Sequence, residues 1–448
     1  MTSTLLKSST LNEPTVRQLP NGLTIVAEQM PVEAVNLNVW LNVGSALEAN
    51  EINGMAHFLE HMVFKGTNLL ENGEFERLIE ERGAVTNAAT SQEYTHYYIT
   101  TAPQDFASLA PLQIDVILNS SIPEEAFERE RFVVLEEIRR AEDNPRRRTF
   151  YRAMETCFQQ LPYRRPVLGP SQVIEHLQPW QMRDFHAQWY RPKSMTAVAV
   201  GNLPVEKLIE IVAEGFEELQ PSQHLDNKTG NNKDNPGIFS SVNSPINSLQ
   251  PEEPFREIVR QEYTDRHLQQ GRLVMLWRVP GILELEETYA LDVVAAVLGQ
   301  GKMSRLFRDL REERGLVSHI GASNMTQGVQ SAFYISAKLP TENVGEVERA
   351  IASHLHRLQT EPIDPSDLDR IRTKVANQFI FSNERPSDRA NLYGYYYSQL
   401  GDLEPALNYP AAIKAVTAED VRAAVQRYLS PEAYGMVVMK PVGCLNHR

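Results

Sequence analysis

Residues His57-Phe58-Leu59-Glu60-His61 set two imidazoles four positions apart, with a carboxylate beside the second. On a helix, residues four apart project from the same face, so both imidazoles can converge on one metal ion. Glu60 lies one turn from His57 and next to His61, within reach of a proton on a water held at that ion. The order H-x-x-E-H inverts the more frequent H-E-x-x-H zinc arrangement. Either histidine alone would read as an ordinary core residue. Their joint placement, with Glu60 between them, favours a metal centre with a built-in base.

A three-ligand zinc site needs one more donor and leaves a fourth position for water. The best source is the helical stretch that begins around Pro123, a residue suited to a first helical turn, and ends before Asn144-Pro145. Phe127, Val134 and Ile138, with Phe132 and Leu135, give it an apolar stripe. Glu130 and Glu137 are seven apart, two turns along one face. From Glu124 to Arg140 the stretch carries six glutamates, and spacing alone does not choose a ligand among them.

The elements that must position these groups belong to a chain of 448 residues, 42% hydrophobic and 23% charged, ordinary values for globular domains. No segment is long and apolar enough to span a bilayer, and no apolar stretch near Met1 has signal-peptide length; a cytoplasmic location is expected. Cys157 and Cys444 are too far apart in sequence to suggest a thiolate metal site and read as buried or half-buried thiols. A net charge of −14 excludes nucleic acid as the main partner. Solubility explains that charge more readily than a cavity for cationic ligands.

An Asn-, Ser-, Pro- and Gly-rich stretch over residues 223–254 reads as a polar linker. It separates an N-terminal domain, 1–222, which carries the metal site, from a C-terminal domain, 255–448, which has none. The halves open alike. Residues 35–44 alternate as a half-buried strand and residues 271–281 form a similar strand. Helical segments follow at 55–64 and 289–298, and late apolar strands at 195–201 and 434–439 close each half. The self-similarity implies two copies of one α+β domain, each a mostly antiparallel sheet packed with helices. Residues 83–99, rich in Thr, Tyr and Ala, read as strand, with His96 a cross-strand polar residue.

The run from His57 through Met62-Val63-Phe64-Lys65-Gly66-Thr67 resembles the signature of the pitrilysin family of metallopeptidases. In particular it resembles the branch containing mitochondrial processing peptidase and its bacterial relatives, and the resemblance extends from about Thr15 to Pro441. It implies a zinc endopeptidase with one Zn²⁺ per chain, held by His57, His61 and a downstream glutamate that maps to Glu137, Glu136 being one residue out of register. It further implies Glu60 as the general base and Glu130 as a catalytic support that does not hold the metal. Residues 83–99 are similar to the family's edge strand, to which a peptide adds as an extra strand, with Asn87 and Ala88 holding its main chain.

Leu298 to Leu316 resembles the family's second-domain signature, in which many members place an Arg and, seven residues later, a Tyr that bind substrate and the oxyanion. Arg311 matches the first, but Ser318 stands in place of the Tyr, followed by His319. Either His319 substitutes, or a homologous subunit without the zinc motif supplies the Arg/Tyr pair. The resemblance also implies that two such domains form half of a clam-like chamber. The chain is therefore expected to be the catalytic subunit of a heterodimer, with a homodimer as the other arrangement. A non-catalytic structural or peptide-binding subunit is the rival reading.

Overall fold

The computed structural model describes residues 11–219 and 249–442. The first half contributes β1 (Thr15–Gln18), β2 (Thr24–Gln29), β3 (Val35–Leu41), β4 (Val85–Thr90), β5 (Thr95–Thr101) and β6 (Met195–Gly201). They form one sheet in the order β1-β2-β6-β3-β5-β4. The second half contributes β7 (Val259–Asp265), β8 (Gly271–Pro280), β9 (His319–Met325), β10 (Gln330–Leu339) and β11 (Gly435–Pro441), ordered β7-β11-β8-β10-β9. From β2 and from β7 onward the two orders superpose. Each has one parallel pair, β2 with β6 and β7 with β11, and antiparallel pairing throughout the rest.

The duplication reaches the turns. Gly44 follows β3 and Gly281 follows β8. A Cβ on Gly44 would lie 2.4 Å from the carbonyl oxygen of Ser91, and one on Gly281 would lie 2.1 Å from that of Gly328. In both halves the chain leaving the strand donates backbone hydrogen bonds to the tip of a hairpin. Ala46 bonds Gln92 (2.7 Å), and Ile282 bonds Gln327 (2.7 Å). Only glycine lets backbone approach backbone this closely.

Helices of the first half include α1 (Met55–Val63), α2 (Glu74–Glu81), α3 (Phe106–Leu118), α4 (Glu124–Asp143) and α5 (Pro145–Cys157). One face of the first sheet packs on α1 and α3, with Leu37, Val39, Phe58 and Ile114 in a common core. Helix Leu285–Gly299 and the helices from Val344 to Phe381 do the same for the second sheet.

Each half then covers the other's open sheet face. Helix Pro386–Leu400 lays Ala390, Tyr393 and Tyr396 against Val26, Trp40, Val198 and Val200. Helix α5 sets Ala153, Met154 and Cys157 against Val274, Leu276 and Ala332. A buried ion pair, Arg389 to Glu28 at 3.0 Å, and the Tyr393 hydroxyl on the same carboxylate (2.8 Å) lock the first contact.

This cover corrects the expectation that β3 is half-buried: all seven of its residues are buried. Its alternating Asn36 and Asn38 look solvent-facing in sequence but their side-chain amides donate to partners inside the fold. Asn36 donates to Ile99 and Thr100, and Asn38 donates to Asn391 of the covering helix and sits 3.0 Å from His96. A second correction concerns residues 83–99, which are two strands, since residues 91–94 turn the chain from β4 into β5. The linker expected at 223–254 lies outside the described residues up to residue 248. At its end Glu252 is docked, accepting backbone hydrogen bonds from Gln159, Gln160 and Leu161 and pairing with Arg278 at 3.0 Å. Cys157 is buried, its thiol pushed up to about 12 by burial, and Cys444 lies outside the described residues.

Candidate metal centre

Helix α1 is short, and its start is built with care. Gly54 caps it at φ 100°, a left-handed conformation natural to glycine. The buried Glu48 carboxylate accepts from the backbone of Gly54 and Ala56 (both 2.7 Å) and from Asn53 (2.8 Å). A carboxylate at a helix N-terminus satisfies orphan N–H groups and complements the helix dipole. Met55, Ala56, Phe58, Leu59, Met62 and Val63 enter the core. His57, Glu60 and His61 occupy the remaining sector, which points toward α4.

Helix α4 packs alongside through Phe127, stacked on Phe58 with ring centroids 4.5 Å apart, and through Val134 and Ile138. Pro123 stands just before the helix, at its cap. Phe132, expected in the apolar stripe, is 71% exposed: it lies five positions from Phe127, about 140° around the helix. Glu130 and Glu137 face α1. His57 Nε2 lies 3.5 Å from Glu137 Oε2, and His61 Nε2 lies 3.6 Å from the same oxygen. The three donor atoms all lie within 4.8 Å of one another.

These separations are long for hydrogen bonds. They are close to the edge of about 3.4 Å that a tetrahedron with zinc–ligand bonds of about 2.05 Å requires. Two imidazole nitrogens and one carboxylate oxygen, converging without bonding one another, fit a zinc ion. Glu136 does not join them; it turns outward to pair with Arg139 (2.7 Å) and Arg140 (3.3 Å). Glu130 stands behind His61, its Oε2 3.3 Å from Nδ1, the place of a second carboxylate that orients a ligating imidazole. Lys65 holds the other oxygen of Glu130 at 2.8 Å.

Charge follows this layout. Burial, then the neighbouring His61, pushes His57 down to about 4, keeping it neutral as a ligand must be. Burial opposes charge on His61 too, but the carboxylates of Glu130 and Glu137 outweigh it and raise His61 to about 9. Those contacts to His61 hold both glutamates below the usual carboxylate range. Glu60 is raised by burial, against the stabilising hydrogen bond from Thr90. Thr90 Oγ1 donates to Glu60 Oε2 at 2.5 Å.

Thr90 ends β4, the outer strand of the sheet. Along β4 exposure alternates, with Val85, Asn87 and Ala89 exposed and Thr86, Ala88 and Thr90 half-buried. The Asn87 side-chain oxygen accepts from the backbone N–H of Ala88 (2.9 Å). The outer strand and the Glu60 carboxylate are thus joined through one hydroxyl. His96 on β5 is buried and stacked on Trp40 at 4.3 Å, away from the centre.

The structure does not bring Arg311 to this centre. It sits on a wide π-helical turn, Phe307–Glu313, over the Phe307 ring (4.6 Å) and beside Glu312. Ser318 is held by Gln270 and the Lys338 carbonyl, and His319 starts the exposed edge of β9. Two residues of the site were not singled out by sequence reasoning. Thr90 and Lys65 both lie inside motif runs, but only their partners reveal what they do.

Comparison with known proteins gives matches over most of the chain. A family model described as Insulinase (Peptidase family M16) matches residues 24–171, and one described as Peptidase M16 inactive domain matches residues 176–375. An uncharacterized zinc protease of Mycobacterium tuberculosis is 28% identical over 95% of this chain and 92% of its own length. The zinc protease PqqE of Helicobacter pylori is 27% identical over 94% and 92%. Among solved structures, a protease from Helicobacter pylori superposes with a TM-score of 0.85 at 26% identity, covering 96% of this chain and 99% of that one. An M16-like peptidase from Alicyclobacillus acidocaldarius, at 20% identity and a TM-score of 0.79, shares the fold.

Proposed function

The chain belongs to the M16 peptidase family, and from that membership we propose that it is a zinc-dependent endopeptidase for short or unfolded peptides. The observation that carries the reading is the convergence of His57 Nε2, His61 Nε2 and Glu137 Oε2 on one point, with Glu60 beside them. Zinc bound by these three residues supplies Lewis acidity, polarising a carbonyl and bringing the pKa of water to about 7.

The rest falls to the protein. Glu60 accepts the proton of the attacking water and delivers it to the leaving amine. The Thr90 hydroxyl fixes Glu60 Oε2 and so sets the direction of that transfer. Glu130, clamped by Lys65, holds the His61 ring in orientation. A peptide adds to the free edge of β4 at Asn87 and Ala88, bonded through its backbone, which tolerates varied side chains. Thr90, at the end of that edge, brings the scissile bond to the base.

The oxyanion donor is the missing part. Ser318 is short and already bonded within its own half, and Arg311 is engaged locally. We therefore propose that residues 1–222 form the catalytic domain and 255–448 its homologue. On this reading the chain is the catalytic half of a chamber completed by a second, homologous chain carrying an Arg/Tyr pair. No helix among the described residues is long and apolar enough to cross a membrane.

The test is metal analysis of the purified chain, followed by cleavage of an unstructured peptide library with and without a homologous chain that lacks the zinc motif. Cleavage that appears or rises steeply with the partner is expected. A zinc-loaded chain that cleaves nothing in either arm would make it a non-catalytic subunit.

A further inference from the structure

The second half contains a cavity of about 870 Å³ between the segment Met303–Arg314 and the helices Val344–Thr360 and Pro365–Phe381. None of its lining residues belongs to the first half, so it is separate from the metal centre. Six arginines line it, Arg305, Arg308, Arg314, Arg349, Arg357 and Arg370, against the four carboxylates of Asp309, Glu313, Glu346 and Asp367. In a chain of net charge −14, a pocket with two positive charges in excess is out of character.

The ion pairs locate the surplus. Arg314 bridges Glu346 and Asp309, Arg308 pairs with Glu313 at 3.5 Å, and Arg370 pairs with Asp367 at 3.1 Å. Arg357 turns to Glu361 at 3.1 Å. All four carboxylates of the cavity are committed. The side chains of Arg305 and Arg349 make no hydrogen bond or ion pair among the described residues. Arg305 Nη1 is moreover buried without a partner, as is Nδ1 of His354, whose Nε2 lies 2.8 Å from Asp309. A dehydrated guanidinium nitrogen without an acceptor is costly, and native folds rarely keep one.

We propose that this cavity binds a small anion carrying two or more phosphoryl groups. Guanidinium forks match phosphate oxygens in a bidentate fashion. Two uncommitted arginines, with others able to exchange a carboxylate for a phosphate, suit a di- or triphosphate better than a single phosphate. The volume lies within the range of about 300–1,000 Å³ typical of small-ligand sites. Val297, Ile363 and Ile371 form an apolar part of the wall, which can take an organic group attached to the phosphates. An inorganic polyphosphate and a nucleotide share this chemistry.

Titration calorimetry on the full chain with tripolyphosphate, ATP, orthophosphate and sulfate, at matched ionic strength, tests the proposal. Saturable binding of tripolyphosphate or ATP, well ahead of the two small anions, is the expected result. If ATP binds tighter, the apolar wall holds a base; if tripolyphosphate does, the site takes inorganic chains. Arg349→Gln, at an exposed position, and Arg305→Gln should each weaken binding by about tenfold or more, the loss typical of one charge-assisted contact. Unchanged thermal melting shows that each variant is folded. Absence of saturable binding below about 1 mM, equal binding of sulfate, or wild-type affinity in a folded Arg349→Gln variant would overturn the proposal.

Discussion

Replacing Glu60 by Gln tests the proposed chemistry most directly, because the structure separates the base from the ligands. Glu60 is not one of the three atoms that converge on the metal point, so zinc content should stay at that of the wild type. Gln keeps the size of Glu and an oxygen that can still accept from Thr90, but it cannot take a proton. Loss of a positioned general base costs about 10²–10⁴-fold in rate, or about 2.7–5.4 kcal/mol at 1.36 kcal/mol per tenfold.

Thr90→Val supplies the graded comparison. It removes a 2.5 Å hydrogen bond to the Glu60 carboxylate without touching a ligand. A charge-assisted bond is worth about 1.5–3 kcal/mol, so the rate should fall by about 10–160-fold, at or below the low end of the loss for Glu60→Gln. Because Thr90 acts through Glu60, the double variant should be no slower than Glu60→Gln alone, a coupling that contacting residues commonly show. The assay is turnover of a quenched fluorescent peptide at saturating substrate, with zinc measured on the same samples. Glu60→Gln protein that cleaves within tenfold of wild type, or that loses its zinc, would refute the assignment. Fully additive losses would refute the link through Thr90.

Glu137→Gln should strip zinc from the chain, whereas Glu136→Gln, whose carboxylate faces Arg139 and Arg140, should leave metal content unchanged; equilibrium dialysis against a zinc buffer reads both. A further prediction concerns pH and the contact between the halves, where buried Glu93 accepts from Tyr163 (2.5 Å) and from the backbone of Gly328 (2.7 Å). Burial raises Glu93 above the usual glutamate value, so the native state binds this proton more tightly than the unfolded chain does. The group's stability contribution is therefore complete below the unfolded pKa and declines as pH rises toward the folded one. Glu93→Gln should reduce that decline, seen as a smaller drop in urea midpoint than in the wild type as pH rises above the ordinary glutamate range.

The parts of this molecule legible in its sequence are those governed by local periodicity. Helix α1, the glutamate helix, the paired strands of each half and the duplication itself follow from spacing, and the structure returns them with shifts of a few residues at most. What failed depended on distant chain. Asn36 and Asn38 alternate as on a wet sheet face, yet a helix some 350 residues away covers them, and no local pattern announces it. The turn at residues 91–94 carries no Gly or Pro, the usual punctuation of a hairpin, so β4 and β5 read as one strand. Glu137 could not be told from Glu136 by spacing alone. Both follow the histidines at nearly the same distance, and only the helix's rotation of about 100° per residue separates inside from outside.

The duplicated architecture also accounts for the His57, His61 and Glu137 cluster in the first half and for the lack of a counterpart among the described residues of the second. Helix α1 in the first half and helix Leu285–Gly299 in the second follow equivalent strands and equivalent glycine turns. Helix α1 buries its apolar residues against the sheet and α4, but keeps one sector for His57, Glu60 and His61, facing the carboxylates of α4. In the second half the equivalent helix is buried almost all round through Leu291, Val293, Val294, Ala296, Val297 and Leu298. It is packed between the sheet and the helices Pro365–Phe381 and Ala418–Tyr428. A histidine at Val293, Val294 or Leu298 would replace buried hydrocarbon, and an unpaired buried imidazole costs more than the packing it displaces. The second copy fills with core residues the sector that carries His57, Glu60 and His61 in the first. Restoring H-x-x-E-H to it should therefore cost stability without creating a second zinc site, and metal titration of such a variant would find no second equivalent.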